Sequence, residues 1–125
     1  MSKVTYFTAR QNALTVLAAA APIAFTAVDV SLLVPAGTTA LICTTELVAG
    51  GVIIPADYAI SEKRKDLAQG VCSADALPRT PNALDQASNN AIIPITALRT
   101  FEYNLVGTFA GLTVDIRVWI IGYLS

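Results

Sequence analysis

The chain carries few residues that could do chemistry, and histidine is absent from all 125 positions. Without histidine the chain cannot build a Ser-His-Asp triad or a Cys-His pair, and it has no imidazole ligand for a metal ion. Its two cysteines, Cys43 and Cys72, are far apart and form no CxxC pattern, so alone they cannot complete a structural zinc site. The sequence therefore predicts neither a metal ion nor a cofactor.

Carboxylates remain as candidates for catalysis, because a pair of them can hydrolyse a glycosidic bond. The nine carboxylates are spread along the chain, and no two lie on the same face of one strongly predicted strand. The glycine-rich motifs that bind phosphates or dinucleotides are also missing. We therefore expect a protein that is not an enzyme and has no catalytic residue.

Trp119, the single tryptophan, is the side chain that could stack on a ligand such as a sugar. No second tryptophan or tyrosine is spaced to complete a binding face, so we expect Trp119 to anchor the core or a subunit interface. Asp115 and Arg117 share its face of the last strand and are expected to be solvated or to pair across strands. Tyr123 is expected to cap that strand.

These residues belong to segments with the patterns of β-strands. The last strand alternates most clearly, with Val114, Ile116, Val118 and Ile120 on one face. Earlier strands are predicted near residues 3–9, 24–31, 38–48 and 52–60, with one or two more at 91–107, whereas residues 11–25 fit helix or strand. Turns are predicted at 35–37, and a hairpin connection at 107–111. About seven strands predict an all-β fold, an antiparallel β-sandwich or a jelly roll.

The polar segment from Ser61 to Asn90 has little periodicity and is predicted to be one long connection. It contains the basic run Lys63, Arg64 and Lys65, which Glu62 and Asp66 flank. We expect this run to be a solvated loop.

The length predicts one domain, with an N-terminal arm or edge segment at 1–21 and a single β-sandwich domain at 22–125. Lys3 and Arg10 before the apolar segment 13–27 resemble a signal peptide. Pro22 and the strand pattern after it argue against that interpretation. The segment is also too short for a membrane-spanning helix, which needs about 20 residues.

Charge is scarce, at 14% of residues against roughly 25% in an average globular chain. Between Gln11 and Ser61 the charged side chains are Asp29, Glu46 and Asp57. Such a surface predicts burial against neighbouring subunits, although a surface rich in Thr, Ala and Ser is the alternative. No basic stripe is present, so we expect neither a nucleic acid nor a membrane as a partner.

The two cysteines are expected to be unbonded thiols. Cys43 lies in an apolar strand pattern, where a buried thiol is the usual state, and Cys72 lies in the predicted loop. Both expectations fit folding in a reducing compartment.

Two stretches, FTAVDVSLLVPAGTTALICTTELV and TVDIRVWIIGYLS, resemble small β-sandwich proteins of tailed-bacteriophage particles. The resemblance covers about half of the chain. Its motifs are a V-D-x-S-x-x-V-P-A-G strand–turn–strand and a terminal strand ending in G-Y plus an apolar residue. The matching residues are Val28, Asp29, Ser31, Val34, Pro35, Ala36, Gly37, Gly122, Tyr123 and Leu124.

The resemblance implies a structural protein of the virion, assembled in the host cytoplasm. It implies a capsid decoration, or cement, subunit that stabilises the head as a homo-oligomer, with a trimer as the expected form, bound to the major capsid protein. The alternative is a tail, neck or fibre module that binds a receptor or a carbohydrate. The arm at 1–21 and the segment 61–90, with Lys63, Arg64, Lys65 and Arg79, are the parts expected to reach neighbours.

Overall fold

A computed structural model of the chain describes residues 3–50, 58–64, 72–76, 85–107 and 113–125. Within these ranges the chain forms eight β-strands and no helix. The strands are β1 (Val4–Ala19), β2 (Ile23–Asp29), β3 (Ala40–Gly50), β4 (Tyr58–Lys63), β5 (Cys72–Ala76), β6 (Asp85–Pro94), β7 (Thr100–Gly107) and β8 (Thr113–Leu124).

The strands form two antiparallel sheets of four strands each. The first sheet has the order β1-β8-β3-β6 and the second has the order β2-β7-β4-β5. Eight strands in this interleaved order form the double Greek key of a jelly roll. The predicted all-β sandwich is therefore confirmed.

The core lies between the sheets and is built by the alternation of each strand. In β8 the inward residues are buried and the outward residues are half-buried, as the sequence pattern predicts. The other strands contribute inward side chains in the same way. The fully buried hydrophobic side chains include Val30, Leu41, Leu47, Ile60, Ile93, Phe101, Leu105, Val114, Ile116, Val118 and Ile120.

The N-terminal segment belongs to the first sheet as an edge strand. β1 pairs with β8 from Val4↔Leu124 to Ala19↔Val114, with three irregularities in the register. The segment from 11 onward, which fitted helix or strand, is strand through Ala19. Because Phe7 and Leu14 pack against the core, this edge strand adds to the sandwich.

Two predicted connections are wrong. The polar segment 61–90 contains the end of β4, all of β5 and the start of β6, so it is not one loop. The strands on either side of the predicted hairpin at 107–111 lie in opposite sheets, because β7 pairs with β2 and β4 while β8 pairs with β1 and β3. Local turn residues indicate a reversal but not the sheet in which the next strand finds its partner.

The turn predicted at 35–37 is present, and Gly37 has a positive φ of 91° there. Glycine adopts this backbone conformation without the steric cost that a β-carbon adds. Of the strand predicted at 52–60, residues 52–57 lie outside the described ranges, and residues 58–60 belong to β4.

Candidate functional site

Trp119 lies on the outer face of the first sheet, in register with Asn12 of β1 and Thr44 of β3. The guanidinium carbon of Arg10 sits 3.9 Å from the centre of the indole ring. Arg10 Nη1 also donates a hydrogen bond of 3.0 Å to Glu46 Oε1. A cation over an exposed indole face contributes about 0.5–1 kcal/mol. A sugar could therefore stack on this ring face only after displacing the guanidinium.

Polar side chains surround the indole along the same row. Thr44 Oγ1 donates a hydrogen bond of 2.7 Å to Asn90 Oδ1 on β6. The indole Nε1 is buried and has no hydrogen-bond partner within the described ranges. An indole N–H is a donor without acceptor capacity, so a ligand that satisfied it would have to supply an acceptor.

Asp115 stabilises the irregular end of β1. Its Oδ1 accepts a hydrogen bond of 2.7 Å from the backbone N–H of Ala18, whose φ is 53°. The register of β1 on β8 shifts between Val16 and Ala19, and Ala18 lies inside that shift. This is a cross-strand contact to the backbone, and it gives Asp115 a structural role.

Arg117 is the register partner of Glu46 on β3 and of Thr15 on β1. Opposite charges therefore stand side by side in the middle of the outer face. The Glu46 carboxylate takes its hydrogen bond from Arg10, and Arg117 makes no hydrogen bond or ion pair to any other described residue.

Tyr123 does more than cap the last strand. Its ring lies 5.6 Å from that of Phe7 at an angle of 53°, and both side chains pack against the core. This tilted arrangement is one that aromatic pairs prefer.

The predicted solvated loop at the basic run is wrong for Glu62 and Lys63. Both belong to β4 and both are buried. Glu62 faces the core, where its Oε1 accepts a hydrogen bond of 2.5 Å from the hydroxyl of Thr45, a buried residue of β3. This contact joins the two sheets, because β3 and β4 lie in different ones. Tyr103 is in register with Glu62, and burial raises the pKa of its phenol.

Lys63 is buried on the other face of the second sheet. Its Nζ lies 2.8 Å from Glu102 Oε1 and 4.7 Å from the centre of the Phe25 ring. Arg64 is half-buried, and Lys65 and Arg79 lie outside the described ranges. The rim contacts expected from this run therefore cannot use Lys63.

Two loops at one end of the sandwich are held together by Arg99, a residue that sequence reasoning missed. Its Nη1 donates 3.0 Å hydrogen bonds to the carbonyl oxygens of Ser31 and Val34. Its own carbonyl accepts a hydrogen bond from Val30 N–H, and its φ is 63°. No sequence signal marks an arginine in this left-handed conformation, which is uncommon outside glycine, asparagine and aspartate.

The same loops expose leucines. Leu32 is 98% exposed and Leu98 is 80% exposed. The backbone beneath Leu32 is ordered by Asp29 Oδ1, which accepts a hydrogen bond of 2.8 Å from Ser31 N–H. Hydrogen bonds from Ser31, and the charge of Arg99, hold the pKa of Asp29 below its ordinary value.

Over the described ranges no group of three or more Cys, Asp or Glu side chains could hold a metal ion. Cys43 is buried on the inner face of β3, as expected. Cys72 lies in β5 and not in a loop, in register with Glu62. The loop placement that supported two unbonded thiols is therefore wrong, and the absence of a Cys43–Cys72 bond stays a prediction. No helix among the described residues is long and apolar enough to cross a membrane.

Comparison with known proteins finds no protein-family model and no curated protein sequence that matches this chain.

Proposed function

We propose that this chain is a non-enzymatic structural subunit of a tailed-bacteriophage particle, a decoration subunit that stabilises the capsid. It works as a homo-oligomer bound to the major capsid protein. The support is the resemblance of its strand–turn–strand motif to such proteins, together with a jelly-roll strand order. Viral capsid proteins share this architecture with unrelated binding domains. The fold alone therefore does not select the decoration role, and the surface residues provide the further support.

The observation that most directly supports this proposal is a pair of exposed leucines on hydrogen-bonded loops. The two leucines expose apolar surface on adjoining loops, and an exposed apolar patch marks a protein interaction site. Leu32 and Leu98 lie on loops that Arg99 ties together through two carbonyl oxygens. Because the loops are already ordered, burying the leucines in a partner costs little conformational entropy. We assign this loop end to the contact with the particle.

The stabilising action is mechanical. A standard interface buries about 1,600 Å² in total, and each decoration subunit adds such area across the junctions between capsid subunits. Repetition around the shell adds multivalency, so modest contacts sum to a large barrier against rupture.

The alternative is a tail, neck or fibre module that binds a carbohydrate through Trp119. Asn12, Thr44 and Asn90 give the indole the polar neighbours that such a site uses. The guanidinium of Arg10 over the ring counts against it, because it fills the stacking position.

The test uses particles that lack this protein. Purified protein is added, occupancy is measured by quantitative gel, and the temperature of DNA release is followed with a dye. We expect addition to raise the release temperature. Leu32→Asp with Leu98→Asp should lower occupancy at least tenfold, while Trp119→Phe should leave it unchanged.

The result that contradicts the proposal is equally plain. Particles with and without the protein would release DNA at the same temperature. If the protein instead bound glycans on an array and Trp119→Phe abolished that binding, the carbohydrate alternative would replace the decoration role.

A further inference from the structure

The outer face of the first sheet has an apolar half that crosses all four strands. Tyr6, Gly122, Ile42 and Ile92 stand in register across β1, β8, β3 and β6. Tyr6 is 68% exposed and Ile92 is 56% exposed at the two edges. The next row toward the loop end, which begins at Val4, is also without charge.

The tyrosine at the edge is held close to the sheet. A β-carbon built on Gly122 would lie 3.0 Å from Tyr6 Cδ1 and 2.6 Å from the carbonyl oxygen of Thr5. The glycine thus lets β1 and the ring approach β8 closely. Gly122 is therefore buried beneath Tyr6, and the ring forms the surface over that part of β8.

The other half of the face is charged with equal numbers of both signs. Arg10 and Arg117 supply the positive charges, and Glu46 and Asp115 supply the negative ones. The charges lie close to one another, since Arg117 is in register with Glu46 on the neighbouring central strand. A surface with this balance can be complementary to itself.

We propose that this outer face binds the same face of a second copy of the chain, across a two-fold axis that runs parallel to the strands. Such an axis exchanges β8 with β3 and β1 with β6 while keeping each row at its own height. Arg117 then lies over the second copy's Glu46. In the apolar half, Tyr6, whose ring covers Gly122, lies over the second copy's Ile42 and Ile92.

The size of the face fits a stable dimer. A strand of 12 residues such as β8 spans about 40 Å, and four strands span about 20 Å across the sheet. The face therefore offers about 800 Å² per copy, the amount that a standard interface buries on each partner. Two sheets packed face to face lie about 10 Å apart with nearly aligned strands, which this axis permits.

The inference rests on the proposed function, which includes a homo-oligomer, and it identifies the surface through which the copies bind. The expected oligomer is a dimer, in place of the trimer that the resemblance implies. The two proposals use different surfaces. The sheet face joins copies, and the loop end with Leu32 meets the particle.

The test is the mass of the isolated full chain in sedimentation velocity at about 50 µM, above the micromolar dissociation constants at the weak end of standard-size interfaces. We expect twice the 13.1 kDa of one chain. Ile92→Asp should give the mass of one chain, because it buries a charge in the apolar half. Leu32→Asp is the matched control, with the same added charge on a more exposed residue off the face, and should leave the dimer intact.

Exchanging the charges of Arg117 and Glu46 gives a second, independent test of the dimer. Arg117→Glu should raise the dissociation constant at least tenfold, since two carboxylates then face each other. Adding Glu46→Arg to the same chain should restore the dimer. Far-UV circular dichroism checks that each variant is folded. If Ile92→Asp fails to fold, the exchange decides.

A wild-type protein that sediments as one or as three chains would overturn the inference. So would a dimer that Leu32→Asp breaks and Ile92→Asp does not, or a double variant that stays monomeric. A dimer that fails to bind particles counts against the decoration role alone, and a monomer that binds them counts against the dimer alone.

Discussion

Individual side chains hold the loop end of the sandwich through contacts to the backbone. Asp29 and Arg99 both bind the backbone of the loop that carries Leu32, Asp29 by accepting a hydrogen bond and Arg99 by donating two. Each hydrogen bond joins a charged side chain to a backbone group, so each can be tested by a single substitution.

Asp29 should make the stability of the chain depend on pH in acid. Hydrogen bonds from Ser31 hold the pKa of Asp29 below its ordinary value of 3.8, so the folded chain keeps this carboxyl ionised where the unfolded chain protonates it. Its contribution is therefore present above pH 3.8 and is lost as the pH falls through the lower pKa of the folded state. Asp29→Asn keeps the shape but does not titrate.

The measurement is urea unfolding of both proteins at pH 7 and pH 3. The difference between them should be larger at pH 7. A difference of the same size at both values would show that the charge of Asp29 does not stabilise the fold.

Two substitutions of Arg99 should separate the free-energy cost of its left-handed backbone conformation from the stabilisation that its hydrogen bonds provide. Arg99→Ala loses both bonds to Ser31 and Val34 and keeps the strained φ of 63°. Arg99→Gly loses the same bonds but adopts this φ freely. Because the left-handed conformation costs a non-glycine residue about 1 kcal/mol or more, the glycine variant should be the more stable of the two by about that amount.

Chemical denaturation of both variants and the wild type checks this order. Both should be less stable than the wild type. An alanine variant as stable as the glycine variant would mean that the backbone relaxes out of the left-handed region.

At the scale of elements, the described residues include a polar contact that joins the two sheets inside the apolar core. Thr45 of β3 donates to the buried carboxyl of Glu62 on β4. A buried hydrogen bond to a carboxyl group is expensive to remove, because the acceptor was desolvated when the sheets packed.

Thr45→Val should therefore destabilise the protein by about 1–3 kcal/mol. Thr44→Val is the matched control on the adjacent residue, whose hydroxyl bonds Asn90 on the outer face. At a protein concentration where the chain is a monomer and this face is free, it should cost less than about 1 kcal/mol, because water can replace that bond. Equal losses in guanidinium unfolding would show that the inter-sheet bond has no special weight.

Because β1 is an edge strand of the first sheet, deleting part of the N-terminal segment should destabilise the protein. The sequence predicted an arm or edge segment at 1–21, and deleting residues 2–12 would leave the sandwich folded if this segment were an arm. With β1 paired to β8 and Phe7 packed on the core, this deletion removes half of an edge strand. We expect a loss of about 2 kcal/mol or more, the scale of one large apolar side chain taken out of a core.

Thermal unfolding of the truncated chain, at a protein concentration where it is a monomer, measures this loss. Tyr6→Ala is the control, because it removes an exposed ring and keeps the strand pairing. An unchanged melting temperature would favour the arm over the edge strand.

For the whole molecule, the topology makes each sheet depend on both halves of the chain. The first sheet contains β1 and β8 from the two ends, together with β3 and β6 from the middle. Neither half can complete a sheet alone, so the described strands should unfold as one cooperative unit. Contacts between distant strands also predict slow folding, on the millisecond to second scale.

Two spectroscopic probes of unfolding, followed at one protein concentration, test this prediction. Trp119 fluorescence reports the first sheet and far-UV circular dichroism reports both. Their transitions should overlay. A separate early transition confined to β1 would instead support an N-terminal segment that is distinct from the sandwich.

The sequence by itself determined the features that depend on near neighbours. Alternation in β8 marks Val114 and Ile120 as inward residues, and Gly37 marks a turn, because strand period and positive φ are local properties. The absence of histidine excludes Ser-His-Asp triads and imidazole metal ligands, because composition does not depend on the fold. Enough local strands of this kind determine the fold class.

Only the tertiary structure decided which strand pairs with which and which charges are buried. Lys63 is a solvated cation by sequence pattern and a buried one in the fold, because Glu102 stands 39 positions away in the chain and 2.8 Å away in space. Arg99 acts on carbonyl groups more than 60 positions earlier in the chain. Burial of a charge depends on its partner, and the partner is brought near by strand pairing, which no local pattern encodes.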